Sequence, residues 1–234
     1  EYTSISGMED FYCATQNYCA LAGMKTNLYK CFLPQAWSFG TGNGVSAFVH
    51  PEGIYDDPKG GELRKQLYPR LKRHYQFRNE LKLFTEVHHS RVFSLNVYSN
   101  HTNNGFDSIN NLFAPATIDE CYENESGHIA GIKDHDGNWN ISGSLDRILK
   151  ISKNELAVFG KIFDAEADWQ GTKMLALHSK QLLHVVSVLA NQQRTIGNIE
   201  GIYISEMWNE TNAQRDGTIR RCVHFPENAM SLIM

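Results

Sequence analysis

The sequence lacks any long uninterrupted apolar run. No segment approaches the roughly 20 apolar residues that a membrane-spanning helix needs, and the N-terminal residues show no signal-peptide pattern. Hydrophobic residues make up 41% of the 234 residues and charged residues 21%, which is typical of soluble globular proteins. We therefore expect one large domain or two small ones and no membrane partner.

Cysteine pairs with regular spacing are also missing. The five cysteines are irregularly spaced and include no C-x-x-C pair, so neither a disulfide framework nor a zinc site is predicted. This pattern favours a reducing compartment, and we expect a cytoplasmic protein. His74 and the pair His88 and His89 suggest a metal site, but no further ligands follow at a characteristic spacing. We therefore predict no metal ion.

Positive charge is concentrated in one part of an acidic chain. The net charge is −4, whereas residues 59–82 contain eight basic residues and only two acidic ones. A local basic patch can bind phosphate groups even on an acidic protein. The alternative is an ordinary solvated helix face. The candidate phosphate contacts are Lys59, Arg64, Lys65, Arg70, Lys72 and Arg73.

The first hundred residues show an alternation of helices and strands. Helices are predicted over residues 8–23, from an N-cap at Thr26 or Asn27 onward, and over residues 61–74 with a kink or break at Pro69. The apolar run 44–50 predicts a strand buried on both faces of a parallel sheet. Strands are also expected over residues 75–84 and 92–99, close enough to form a hairpin.

The chain changes character after residue 99. Residues 101–111 are polar and predict a loop, with a domain boundary between residues 100 and 117. Asp136-Gly137 predicts a hairpin turn, and a strand is expected over residues 201–208. Helices are predicted over residues 152–169, with a Ser152/Glu155 capping box, and over residues 178–194. The second of these helices has a predicted apolar stripe of Leu182, Val185, Val186 and Leu189.

Three segments together resemble a known enzyme family. They are NLYKCFL, GVSAFVHPEGIYDDPKGGELRKQLYPRL and HYQFRNELKLFTEVHHSRVFSLNVYS. Their order and spacing are similar to the second half of class I S-adenosylmethionine-dependent methyltransferases. More narrowly, they resemble the adenine-N6 DNA methyltransferases of large fused restriction–modification (type IIG) and phage-defence proteins.

The resemblance implies an α/β fold and a division of the chain. Residues 1–100 are expected to form the C-terminal part of a Rossmann-like methyltransferase sheet, its strands five to seven, with a closing antiparallel hairpin. Residues 101–234 are expected to form an α+β segment that leads toward a DNA target-recognition region. The implied partners are DNA and the rest of a parent polypeptide, and the implied cofactor is S-adenosylmethionine.

The family's catalytic motif is missing from this sequence. There is no Asn/Asp-Pro-Pro-aromatic tetrapeptide, and no Gly-rich cofactor loop opens a helix. The glycines of residues 40–44 instead precede a late strand, so they fail the context test for such a loop. We therefore expect a piece of a longer protein that has no catalytic residues of its own and is inactive when isolated.

The resemblance also implies roles for a few residues. Asn27 and Phe32 match positions near the adenine of the cofactor, with helix packing as the alternative. Phe84 matches an aromatic that stacks on the extruded base, with a core phenylalanine as the alternative. Asp56 and Asp57 are expected to form a turn.

Two other functions remain open on the sequence. The chain could be a DNA-binding or specificity module without its own catalysis, in which case DNA affinity should depend on salt. A metal-dependent nuclease is a weaker alternative, suggested by Glu120, Asp134 and Asp136. Asp136 is better explained by its turn.

Overall fold

The structure is a computed structural model that describes residues 2–25, 27–125, 131–163, 168–193, 195–201 and 209–219. The chain divides into two compact units, residues 1–191 and 192–234. In the described residues of the first unit, five strands form one mixed sheet. The predicted α/β class is confirmed at this level. The correspondence with strands five to seven of a methyltransferase stays a prediction.

Regular elements follow one another closely along the first unit. Its helices are α1 (Tyr2–Cys13), α2 (Leu28–Phe39), α3 (Gly53–Asp56), α4 (Gly61–Leu67), α5 (Ala116–Glu123), α6 (Lys153–Phe163) and α7 (Lys180–Ala190). Its strands are β1 (Val45–Pro51), β2 (Leu71–Arg78), β3 (Val92–Ser99), β4 (Gly105–Leu112) and β5 (Leu149–Ser152). The second unit contains α8 (Glu210–Asp216). The strand predicted over residues 201–208 lies outside the described residues, apart from residue 201.

The strand order of the sheet is β1-β3-β2-β4-β5. β3 lies between β1 and β2 and is antiparallel to both, so the predicted hairpin of β2 and β3 is confirmed. β4 continues the sheet parallel to β2, and β5 pairs antiparallel with β4. The sheet therefore runs across residue 100, where a boundary was predicted. The two-domain division itself stays a prediction.

Each face of the sheet has its own core. On one face, Tyr98, Phe106 and Leu149 pack with apolar residues of α2, α3, α4 and α6. On the other face, Phe77 and Ile109 pack with α5. The side chains of β3 alternate between these faces, as a period of two requires.

The basic segment is a helix only in its first half. α4 ends at Leu67, two residues before Pro69, because proline has no N–H group to continue the helical hydrogen bonds. The prediction of a helix over residues 61–74 is therefore wrong beyond Pro69. β2 begins at Leu71, so Lys72 and Arg73 lie on a strand.

β4 corrects the prediction of a polar loop over residues 101–111. Residues 105–112 form a largely buried strand, although the segment contains several polar side chains. Opposite Gln76, β4 has an extra residue, since Tyr75 pairs with Ile109 and Phe77 with Leu112. This β-bulge includes Asn111 in the left-handed conformation, with φ of 56°.

Two local predictions in the second half of the unit are confirmed. Ser152 and Glu155 form the capping box of α6, since the Glu155 carboxylate accepts the Ser152 backbone N–H at 2.8 Å. At the Asp136-Gly137 turn, Lys133 pairs with Trp139 in an antiparallel bridge.

The apolar stripe predicted for the following helix is wrong in its orientation. Leu182, Val185 and Leu189 of α7 are 44–56% exposed, whereas Leu183 and Val186 pack against the core. Within the described residues, no helix is both long and apolar enough to cross a membrane.

β1 differs from the expectation of a strand buried on both faces. In the described part of the chain it pairs on one side only, with β3. Val45 and Val49, which point to the same face, are 61% and 54% exposed. An unpaired strand edge beside exposed apolar side chains favours pairing with another chain.

We expect Val49→Lys to weaken self-association, because a charge on an edge strand opposes strand pairing. The protein concentration at which half of the chains are self-associated should rise by roughly tenfold, which corresponds to about 1.4 kcal/mol of association free energy. Sedimentation velocity over a concentration series measures it. Ser38→Lys, at an exposed position of α2, is the matched control and should leave the midpoint unchanged. Equal effects of the two variants would rule out the β1 edge.

Candidate functional site

An open cavity of about 690 Å³ lies at the carboxyl end of β1. Residues 49–53 form one side, and Phe84, Val87 and residues 90–93 form the other. Its volume is in the range of small-molecule sites, about 300–1,000 Å³. Open α/β sheets bind ligands beyond the carboxyl ends of their strands. We call this cavity the β1 cleft and treat it as the candidate functional site.

Glu52 places a carboxylate in the β1 cleft. The imidazole Nε2 of His74 lies 3.3 Å from each of its carboxylate oxygens, and Gln76 Nε2 donates to Oε2 at 2.9 Å. Burial alone would raise the pKa of Glu52. The Coulombic interaction and hydrogen bond with His74, together with hydrogen bonds from Ser94 and Gln76, outweigh burial and lower that pKa. The carboxylate is therefore held ionised at the margin of the cleft.

His50, which also lines the cleft, is fixed in one neutral tautomer. Its Nδ1 lies 2.9 Å from the Pro51 carbonyl, which can only accept, so Nδ1 carries the proton. Its Nε2 can then accept from Asn96 Nδ2, which lies 2.9 Å away, and the Tyr98 hydroxyl lies 3.0 Å from the same nitrogen. Burial lowers the pKa of His50, partly opposed by the hydrogen bond to Pro51.

The buried polar side chains continue across the sheet. His74 Nδ1 lies 2.9 Å from the Ser108 hydroxyl, which bonds Asn110. Asn110 in turn donates to the Leu177 carbonyl at 3.0 Å. The Tyr55 hydroxyl of α3 donates to Asn96 Oδ1 at 2.6 Å and so joins α3 to these side chains. These groups, together with His50 and Glu52, form a connected polar layer that borders the cleft at His50 and Glu52.

Aromatic rings form the opposite wall of the β1 cleft. Phe84 is 45% exposed, and its ring packs edge-on against Phe93 with centroids 4.9 Å apart. Phe93 stacks on Phe77 at 5.5 Å, and Phe77 is buried in the core of the α5 face. The Phe84 ring is therefore braced on one side and open on the other.

The two predicted cofactor residues lie outside the cleft. Asn27 is the N-cap residue of α2, but its side chain makes no capping hydrogen bond. Phe32, one turn further along, is 49% exposed. Between them Tyr29 stacks on His50 at 5.6 Å, so the start of α2 packs next to the cleft. The assignment of Asn27 and Phe32 to a cofactor stays a prediction.

Arg64 is buried and structural. It is 2% exposed, and its guanidinium donates to the carbonyls of Gly171, Ile54 and Asp57 at 2.8–3.0 Å. The prediction of Arg64 as a phosphate contact is therefore corrected, because its donors already serve the backbone around α4.

The other five predicted phosphate contacts remain on the surface. Lys59 and Lys72 are exposed, and Lys65 pairs with Glu62 at 2.8 Å. Arg70 lies over the Trp37 ring, 5.2 Å from its centroid, and Arg73 pairs with Asp107 at 3.1 Å. Their DNA contacts stay predictions.

The register of β2 places Lys72 and Arg73 away from the cleft. Arg78 pairs with Val92 at the cleft, while Arg73 pairs with Val97 further along β3. From Lys72 to Arg78 the strand spans roughly 20 Å at about 3.3 Å per residue. The exposed cation at the cleft is instead Arg91, which the sequence analysis missed.

The histidines considered for a metal site have separate partners. His74 contacts Ser108 and Glu52, His88 contacts Ser90, and His89 pairs with Glu80 at 3.0 Å. Among the described residues, no group of three His, Cys, Asp or Glu side chains is placed to hold a metal ion.

The carboxylates considered for a nuclease serve the backbone. Asp134 accepts the N–H groups of Asp136 and Asn138, and Glu120 accepts that of Gly143 at 2.8 Å. Asp57 accepts the Lys59 N–H at 2.9 Å, which agrees with the predicted turn, whereas Asp56 is the last residue of α3.

Comparisons with known proteins give a distant likeness to solved structures and no other match. No family model matches the chain, and no curated protein matches it. Among solved structures it is similar to the M protein of the type I restriction enzyme EcoKI, with 14% identity and a TM-score of 0.41. The match covers 73% of this chain and 44% of that one, so the chain spans less than half of its length. This TM-score does not establish a common fold.

We expect Glu52→Gln to lower stability in a pH-dependent way. The folded pKa of Glu52 lies below its unfolded value of about 4.3, so the ion stabilises the fold above that pH. This contribution disappears as pH falls through the folded pKa. The variant should lose about 2 kcal/mol at about pH 7 and less at about pH 3.5.

Urea denaturation across this pH range measures the effect. Glu62→Gln, at an exposed carboxylate paired with Lys65, is the matched control and should change little at either pH. Because the pKa of His50 is lowered, stability should also fall below about pH 6.5 in both the wild type and Glu52→Gln. If Glu52→Gln lowers the free energy of unfolding equally at the high and low ends of this pH range, the Glu52 carboxylate is not ionised in the folded protein.

We expect Arg64→Lys to destabilise the chain without changing its DNA binding. A single ammonium group cannot span the three carbonyls that the guanidinium bonds, so about 2 kcal/mol should be lost in urea denaturation. The salt dependence of DNA affinity should stay unchanged. Lys72→Gln is the comparison at an exposed cation, and it should leave stability unchanged. Because lysine keeps the charge, Arg64→Gln completes the test, and a weaker dependence of its DNA affinity on salt would show that Arg64 contacts phosphate groups.

Proposed function

We propose that this chain is part of an S-adenosylmethionine-dependent adenine-N6 DNA methyltransferase of the restriction–modification or phage-defence kind. In this proposal the β1 cleft receives the extruded base. The observation that carries it is the half-exposed Phe84 ring at the carboxyl end of β1. The sequence resemblance implies an aromatic that stacks on the base at that position.

The aromatic wall supports this role physically. An enzyme that modifies the exocyclic amine of a base must take the base out of the duplex. Stacking on an aromatic ring contributes about 1–3 kcal/mol per base. Since Phe93 supports the Phe84 ring from the inner side, its outer face is available to a base.

Cations near the cleft suit the nucleic-acid backbone. Arg91 lines the cleft, and Lys82 is exposed two residues before Phe84. Phosphate contacts of this kind position the strand without reading its sequence. In the proposal these residues hold the strand from which the base is extruded, with Lys59 and Lys72 as more distant contacts.

The start of α2 fits one wall of a cofactor site. The Asn27 amide is not used to cap its helix, and the Phe32 ring is half-exposed, which suits an adenine moiety. S-adenosylmethionine, when bound, would supply the methyl group. This chain would contribute the base-binding wall, and the free edge of β1 would accept the strand that carries the missing catalytic motif.

We expect Phe84→Ala to weaken binding of an unpaired base by roughly 5- to 150-fold, equivalent to about 1–3 kcal/mol of stacking. The measurement compares two duplexes that differ at one position, a bulged adenine in one and an abasic site in the other. Phe84→Ala should lower affinity only for the first, and Phe84→Trp should retain it. If wild-type protein binds both duplexes equally, the cleft does not receive a base.

The test also separates the second candidate, a DNA-binding module without its own catalysis. Exposed Lys59 and Lys72 outside the cleft favour this alternative. Such a module would bind both duplexes equally, with an affinity that falls as salt rises. Methyl transfer by this chain alone, with S-adenosylmethionine and DNA, would contradict the assignment of catalysis to another part of the protein.

A further inference from the structure

We propose that Asn79 is a positioning residue that holds Phe84 ready for the base before any DNA is bound. This inference rests on the proposed function, in which Phe84 stacks on an extruded base. It concerns the segment between β2 and β3, residues 79–91, which we call the Phe84 loop. Asn79 itself does not line the β1 cleft.

The side-chain amide of Asn79 bonds the backbone of Phe84 on both sides. Asn79 is fully buried, with no exposed surface. Its Oδ1 accepts the Phe84 N–H at 2.9 Å. Its Nδ2 donates to the carbonyls of Phe84 at 2.9 Å and Val87 at 2.8 Å. Both kinds of hydrogen-bonding group in the amide are therefore used on the loop.

The backbone of Asn79 also closes the base of the Phe84 loop. Its N–H donates to the Arg91 carbonyl at 3.0 Å, and its carbonyl accepts the Lys82 N–H at 2.7 Å. Lys82 is in the left-handed conformation, with φ of 52°, and lies in the exposed part of the loop. One residue thus joins the two ends of the loop and its middle.

This bracing matters because the rest of the loop is exposed. Every residue from 81 to 91 is exposed, and residues 82–91 contain no helix or strand. An exposed loop normally loses conformational freedom when it binds a ligand, and that ordering weakens binding. With the Phe84 backbone held by Asn79 and its ring braced on Phe93, much of this ordering is already present.

Only an asparagine supplies this set of bonds at this distance. Aspartate would keep an acceptor for the Phe84 N–H but would turn an oxygen toward the carbonyls of Phe84 and Val87. Alanine would supply neither group. A glutamine side chain is one methylene longer and would have to displace the loop. The donor and the acceptor are therefore both required.

The closing experiment uses this chain and a duplex with one bulged 2-aminopurine, whose fluorescence falls when the base stacks on an aromatic ring. Asn79→Ala should reduce the quenching and should weaken binding of the bulged duplex by roughly tenfold. Asn79→Asp should behave like Asn79→Ala. Binding of the matching abasic duplex should not change, since no base is stacked there.

Asn103→Ala is the matched control. Asn103 is also an amide that donates to backbone carbonyls, those of Arg70 and Leu71, but it lies outside the β1 cleft. This variant should leave the quenching and the bulged-duplex affinity unchanged. An Asn79→Ala variant that behaves like Asn103→Ala overturns the inference.

A double-mutant cycle separates positioning from general destabilisation. If Asn79 acts through Phe84, Asn79→Ala should have no further effect on the bulged duplex once Phe84 is alanine. Amide exchange should accelerate at Phe84 and stay slow at Leu95 in the centre of β3. A tenfold loss that persists in the Phe84→Ala background, or faster exchange at Leu95, overturns the positioning role.

The same cycle distinguishes the two proposals. If Phe84→Ala itself leaves the bulged-duplex affinity unchanged, the proposed function fails, and the role of Asn79 in base binding fails with it. If Phe84→Ala weakens binding and Asn79→Ala does not, the proposed function stands and the inference about Asn79 is wrong.

Discussion

The hydrogen-bonded polar layer on one face of the sheet constrains most of this structure. His50, Asn96, His74 and Ser108 come from four different strands, yet each finds partners within hydrogen-bond distance. A buried polar group left unpaired costs about 1–3 kcal/mol, so these bonds hold only in one register. A shift of the strand pairing by one residue would turn these polar side chains to the other face of the sheet and put apolar side chains in their place. Glu52 ends this layer at the β1 cleft, so strand register and site geometry are coupled.

The sequence predicted correctly those elements that are stabilised by residues close to one another in the chain. The alternation of β3, the Ser152/Glu155 capping box and the Asp136-Gly137 turn each depend on residues a few positions apart. β4 was missed because its polar residues are stabilised by distant partners. Asn110, for example, donates to the Leu177 carbonyl, 67 residues away. No short window of sequence contains that information.

The candidate site was predictable in part, for the same reason. Phe84 was predicted from several short segments that occur in a characteristic order, and it lines the cleft, while its role stays a prediction. Arg64 was misassigned because the density of charge along a chain does not show which cation bonds backbone carbonyls. Glu52 was missed because neither the resemblance nor any motif gave it a role. A carboxylate directly after a strand, at the ligand-binding end of a sheet, was the signal that could have found it.

The bulge in β4 has a consequence for the order of folding. The buried guanidinium of Arg147 donates to the carbonyls of Asn110 and Asn111 at 2.9 and 3.1 Å. Arg147 lies 36 residues beyond Asn111 in the sequence. Hairpins form within microseconds because only a short loop has to close between the two strands. Parallel strands pair more slowly, since a longer segment of chain has to close between them. We expect β2 and β3 to pair first. β4 can dock stably only after the segment around Arg147 has arrived, so the sheet is completed from the hairpin outward.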